Sequence, residues 1–133
     1  MKDETARWLS FASENLEVAV LALEHGHLNA CLQNAQQAVE KYLKALIVEL
    51  GAELRRTHSI RELIGILAAK GAKVGLSEDE MDLMDAIYVP SKYPIYSALP
   101  YTDPDSEICN EAIRIGRKAR NLVAEMLQVK DSR

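Results

Sequence analysis

From Leu28 to Leu50, the apolar positions Leu28, Leu32, Ala35, Val39, Leu43, Leu46 and Leu50 recur at three- and four-residue steps. That spacing places them on one stripe of a long helix. Residues 104–129 repeat it with Ile108, Ala112, Ile115, Ala119, Leu122, Met126 and Val129. A first segment, residues 4–24, carries Trp8, Phe11, Ala12, Leu16, Ala19, Val20 and Leu23 on its apolar side. Three long amphipathic helices are expected. Two shorter ones lie between the second and the last. Ser59 with Glu62 and Ser77 with Glu80 fit the S-x-x-E capping box, in which each side chain satisfies a free amide at a helix start. The first of these runs through Ile60, Leu63, Ile64 and Leu67, the second through Met81, Met84, Ile87 and Tyr88.

Stops are marked as clearly as starts. Gly26, Gly51 and Gly71 sit where left-handed helix ends are expected, and Pro90 is expected to end the fourth helix. Asp103 followed by Pro104 reads as the cap and first residue of the last helix. No stretch alternates with a strand's period of two. The fold class is all-α, an antiparallel bundle of four to five helices in one domain spanning residues 1–133, without internal repeats. The long connection 89–103 holds three of the four prolines and Tyr93, Tyr96 and Tyr101. A loop of that length in a compact bundle points to function or tight packing.

Composition narrows the function. No apolar run approaches the ~18 residues of a membrane span, and residues 1–15 lack a signal-peptide pattern, so a cytoplasmic protein with no membrane partner is expected. The net charge of −4 disfavours indiscriminate adhesion to nucleic acid, while leaving room for a local basic site. Cys31 and Cys109 have no metal-binding spacing and read as two buried thiols, with an oxidised pair as the alternative. His25 and His27 flank Gly26 without a third ligand, so no metal site is assigned.

Three groups of polar residues are candidates for binding. On the second helix, Gln33, Gln37, Glu40, Lys41 and Lys44 share a sector opposite the Leu/Val stripe. It reads either as a solvated face with a Glu40–Lys44 pair or as a wall whose donors meet phosphate or base edges. The run Arg55, Arg56, Thr57, His58, Ser59 precedes a helix start, where free amides attract anions, although Ser59 already caps it and His58 could simply pack there. Arg114, Arg117 and Lys118, with Asn121, form a basic stripe on the last helix, read as a solvent face or a nucleic-acid contact. Small residues Ala30, Ala38 and Ala45 would permit close approach of a second copy. No Gly-rich phosphate loop, H-E-x-x-H or G-x-S-x-G is present, so no catalytic residue and no cofactor are assigned.

The run Ala35-Gln36-Gln37-Ala38-Val39-Glu40-Lys41-Tyr42-Leu43-Lys44-Ala45-Leu46 resembles the A-x-Q-A-x-E-K-x-L-K-A-L run of the HEPN domain family (higher eukaryotes and prokaryotes nucleotide-binding). Thr57-His58-Ser59-Ile60 resembles the family's T-H-D-L, and Tyr88 with Tyr93-Pro94 resembles its Y-x-x-x-R-Y-P. The resemblance implies a bundle similar to the C-terminal helical domain of kanamycin nucleotidyltransferase, usually a homodimer. It also implies a partner, a separately encoded minimal nucleotidyltransferase, in a toxin–antitoxin or nucleotide-handling pair. Gln37, Lys41, Lys44, His58, Lys92 and Tyr93 become the candidate contacts to a nucleotide or RNA phosphate. Other branches of the family are metal-independent ribonucleases that use R-x(4–6)-H. Here Arg55 and Arg56 stand only three and two positions before His58, and Lys92 replaces the Arg of R-Y-P. Lysine keeps the charge but loses the planar fork that clamps phosphate, which points away from that activity; a ribonuclease toxin with a degenerate site around His58, or a non-binding structural partner subunit, is the alternative reading.

Overall fold

A computed structural model describes residues 1–92 and 104–131, with the side chains of all of these but 89–92 and 129–131. Five helices follow in order: α1 (Asp3–Glu24), α2 (Leu28–Glu49), α3 (Ile60–Ala69), α4 (Glu78–Lys92) and α5 (Ser106–Asp131). No strand occurs among the described residues.

The stops expected at Gly26, Gly51 and Gly71 hold. At the end of α1, the Gly26 amide donates to the Leu23 carbonyl at 3.0 Å and the His27 amide to the Ala22 carbonyl at 2.8 Å. This pair of bonds closes a helix through a left-handed residue, and Gly26, at φ 75°, adopts that backbone without a Cβ penalty. Equivalent bonds close α2 and α3. With only three residues between α1 and α2, the two pack as an antiparallel hairpin along their length.

α2 is the axis of the bundle: it touches each of the other four helices. Its apolar residues Leu43 and Leu46 join Leu16, Leu63, Met84 and Ile115 in one core, as the helical spacing requires. At Gly116 α5 passes close to α1, for a Cβ there would lie 2.9 Å from the Leu16 Cδ1 atom.

Four expectations change. Pro90 does not end α4, which continues to Lys92. The proline falls in the final turn, where its missing N–H removes a single ladder bond. The last helix starts at Ser106, and its cap is Asp105, whose carboxylate accepts from the Ile108 amide at 2.8 Å. Pro104 therefore precedes the helix. Phe11 does not join the core: it is 48% exposed on the outer side of α1. Ala38 and Ala45 are fully buried within the chain's own core, so neither is available to a second copy. That last change follows from the central place of α2, which touches each of the other four helices.

Candidate functional site

The polar sector of α2 is only partly solvated: Gln33, Gln37 and Lys41 are half-buried, and its Glu40–Lys44 pair is buried. Glu40 is 3% exposed, Gln36 1% and Lys44 8%, because α1 and the chain leading into α3 cover them. A carboxylate in such surroundings needs partners to stay charged. Glu40 has two. Its Oε2 lies 3.1 Å from Lys44 Nζ, one helical turn on, and its Oε1 lies 3.0 Å from His58 Nδ1, just before α3. The Lys44 ammonium also sits 5.7 Å above the ring of Trp8 on α1, a cation–π contact. Below the imidazole, Gln36 Nε2 donates to the His58 carbonyl at 3.3 Å, and Gln37 donates to Gln36 at 2.8 Å.

α4 supplies the other wall. Tyr88 stacks on His58 with ring centroids 4.6 Å apart and planes at 14°. One turn earlier, Asp85 caps α3: its carboxylate accepts from the Ile60 amide at 2.6 Å and from the Ser59 hydroxyl at 3.1 Å. Ser59 Oγ in turn accepts from the Glu62 amide at 3.2 Å, which forms half of the expected capping box. The other half is diverted, since Glu62 takes a bond from Thr57 instead. The anion that the α3 start attracts is thus already present as Asp85, and those backbone amides are not open to a phosphate.

What remains open is the imidazole. With Nδ1–H given to Glu40, the tautomer is set and Nε2 is left without a partner among the described residues. The His58 side chain is 53% exposed, and the exposed Arg55 and Arg56 lie just before it. The arrangement can present a directed ring nitrogen and an aromatic face to a ligand, and the exposed Arg55 and Arg56 precede it in the chain.

Of the six candidate contacts, Gln37, Lys44 and His58 gather around Glu40. Lys44 is committed to Glu40, so it steadies the cluster rather than pointing to solvent. Lys41 turns toward α1, donating to Asn15 at 2.6 Å. Tyr93 and the side chain of Lys92 lie outside the described residues. Gln36, Asp85 and Trp8 were absent from the sequence-derived set. Gln36 precedes Glu40 by one helical turn, a usable signal, whereas nothing local links Asp85 to α3.

Elsewhere, the basic stripe of α5 is only partly free. Arg114 and Lys118 both bind Glu80, at 2.8 and 2.7 Å. Glu80 also closes a complete capping box, accepting from the Ser77 amide at 2.8 Å while its own amide donates to Ser77 Oγ at 3.1 Å. Burial pushes the Glu80 carboxyl up, but Lys118, the Ser77 amide and Arg114 outweigh it and hold the group at about 2. Both cysteines are free and buried, as expected. Burial, with Cys31 and Asp105 nearby, pushes the Cys109 thiol up to about 12. No group of three metal-ligating side chains occurs among the described residues, and none of their helices is long and apolar enough to cross a membrane.

The profile of the HEPN domain family matches residues 5–127. Among solved structures, the chain is similar to TT1696 from Thermus thermophilus, with 27% identity and a TM-score of 0.77 over 93% of this chain and 98% of the other. It is also similar to ST0689, an archaeal HEPN homologue, with 27% identity and a TM-score of 0.69 over 95% and 98% of the two chains. A comparison with curated proteins gave no match.

Proposed function

The chain belongs to the HEPN domain family, and from that premise we propose that it binds a nucleotide or an RNA phosphate at the His58 edge of α2, α3 and α4. In this reading it works beside a separately encoded minimal nucleotidyltransferase, in a toxin–antitoxin or nucleotide-handling pair. The observation that supports it most is the buried Glu40 carboxylate, which holds Lys44 on one side and directs His58 outward on the other. Arg55 and Arg56 supply charge for a phosphate, and the His58–Tyr88 stack supplies a flat surface beside it.

Titration of the pure protein with ATP and short RNAs at two salt concentrations tests this reading. Saturable binding that weakens with salt is expected, reduced about tenfold or more in His58→Ala and in the Arg55→Ala/Arg56→Ala double variant, the loss of one or two charge-assisted contacts. Absence of binding to either ligand overturns the proposal. The same incubations, in chelator, address a second reading favoured by the Glu40–His58 pair: general acid–base cleavage of RNA. That reading requires cleavage that disappears in His58→Ala.

A further inference from the structure

We infer that the site binds its anion together with a proton, which His58 takes from solvent at Nε2 as a phosphate group arrives. This rests on the His58 reading above and adds the condition under which the site binds. The Glu40 carboxylate fixes the starting tautomer. Its Oε1 lies 3.0 Å from His58 Nδ1, and a carboxylate only accepts, so the ring proton sits on Nδ1. Nε2, on a half-exposed side chain, therefore carries a lone pair. A lone pair repels a phosphate oxygen, whereas a second ring proton turns the same atom into a charged donor.

Charge explains why proton and anion arrive together. A carboxylate paired with an imidazole alone would balance an imidazolium by itself. Here the other oxygen of Glu40 lies 3.1 Å from Lys44 Nζ, so its one negative charge is already matched. Protonated His58 would leave the cluster one positive charge in excess. The surroundings do not offset it. Arg55 and Arg56, exposed just before His58, add to the excess. The acidic groups of α3 and α4 are engaged elsewhere: Glu62 accepts from Thr57, Asp85 from the Ser59 hydroxyl and the Ile60 amide, and Glu78 and Asp82 hold Arg61. Trp8 of α1 and Tyr88 of α4 are uncharged neighbours. A phosphate group at Nε2 supplies the missing negative charge. Anion and proton then favour each other's binding, and affinity rises as pH falls.

Calorimetric titration of the full chain with ATP, and with a short RNA lacking terminal phosphates, tests this. Run near neutral pH in two buffers of different ionisation enthalpy, it counts the protons exchanged. The terminal phosphate of ATP only gives up protons to a cationic site, and the RNA's phosphodiesters do not titrate there, so a net uptake belongs to the protein. About a third of a proton or more is expected per ligand bound, with Kd falling about twofold or more for each pH unit lowered through the histidine range. His25→Gln/His27→Gln removes the other two imidazoles and is expected to keep the uptake in full. Binding without uptake overturns this inference alone and leaves the His58 reading standing, with Nε2 accepting from a ligand hydroxyl. Uptake lost in the double variant assigns the proton to the α1–α2 turn and overturns the inference as well. Absence of binding to either ligand overturns both.

Discussion

Glu40 shows how one residue's meaning depends on what its neighbours do. In the sequence it is half of an i,i+4 pair with Lys44, worth only a few tenths of a kcal/mol on a solvated face. Buried, the same carboxylate cannot lose a partner without leaving an uncompensated charge. Lys44 and His58 are therefore part of one unit with it. The apolar stripe and the E-K-x-x-K pattern were legible, but the burial was not, because it comes from α1 and the α3 approach lying over the polar sector. Phe11 is the reverse case: its spacing fits the core stripe, yet it falls at the stripe's edge and faces outward. Cys31 and Cys109 behave as their spacing suggests, as small apolar side chains. Burial raises both thiols, so the reactive thiolate is scarce at neutral pH. Both are expected to resist a thiol reagent in the native protein and to react fully, two per chain, once denaturant is added; fast native labelling would contradict their packing.

At the scale of elements, the caps carry the account. Ser77 and Glu80 satisfy each other's amides as the S-x-x-E spacing predicts, and Glu80 then gains Arg114 and Lys118 from α5. One residue starts α4 and ties it to α5. Its carboxyl titrates near 2 in the folded chain against 4.5 for the free group, so the unfolded state binds the proton more tightly. The resulting stability is fully present above pH 4.5 and is lost as pH falls from there toward 2. Glu80→Gln is expected to cost about 1–3 kcal/mol at neutral pH and to flatten acid unfolding over that window. Denaturant titrations at a series of pH values give both numbers; an unchanged slope would remove Glu80 as an acid-sensitive tie. The α3 start is where local reading stopped short. Ser59 was identifiable as a cap, but Asp85 lies 25 residues on from Ile60 along the chain and reaches α3 only because α4 packs against it. Pro90 misled for a related reason: a proline in a helix's last turn costs far less than one in its middle.

At the scale of the molecule, the five helices and their order were legible because period, caps and stops agree with one another. The role of α2 as the axis was not, since a sequence gives each helix an apolar side but does not say that its polar side is also covered. The consequence is functional. A buried carboxylate at the centre of the bundle sets the direction of a half-exposed imidazole at its rim, with Tyr88 stacked behind it and two arginines before it. The chain has three histidines, and the two others, His25 and His27, stand at the exposed α1–α2 turn as internal controls. The most direct test is therefore to follow all three imidazoles by NMR while ATP is added. The account predicts a saturable shift of the His58 ring nitrogens with those of His25 and His27 unmoved; a still His58, or a response confined to the turn, would contradict it.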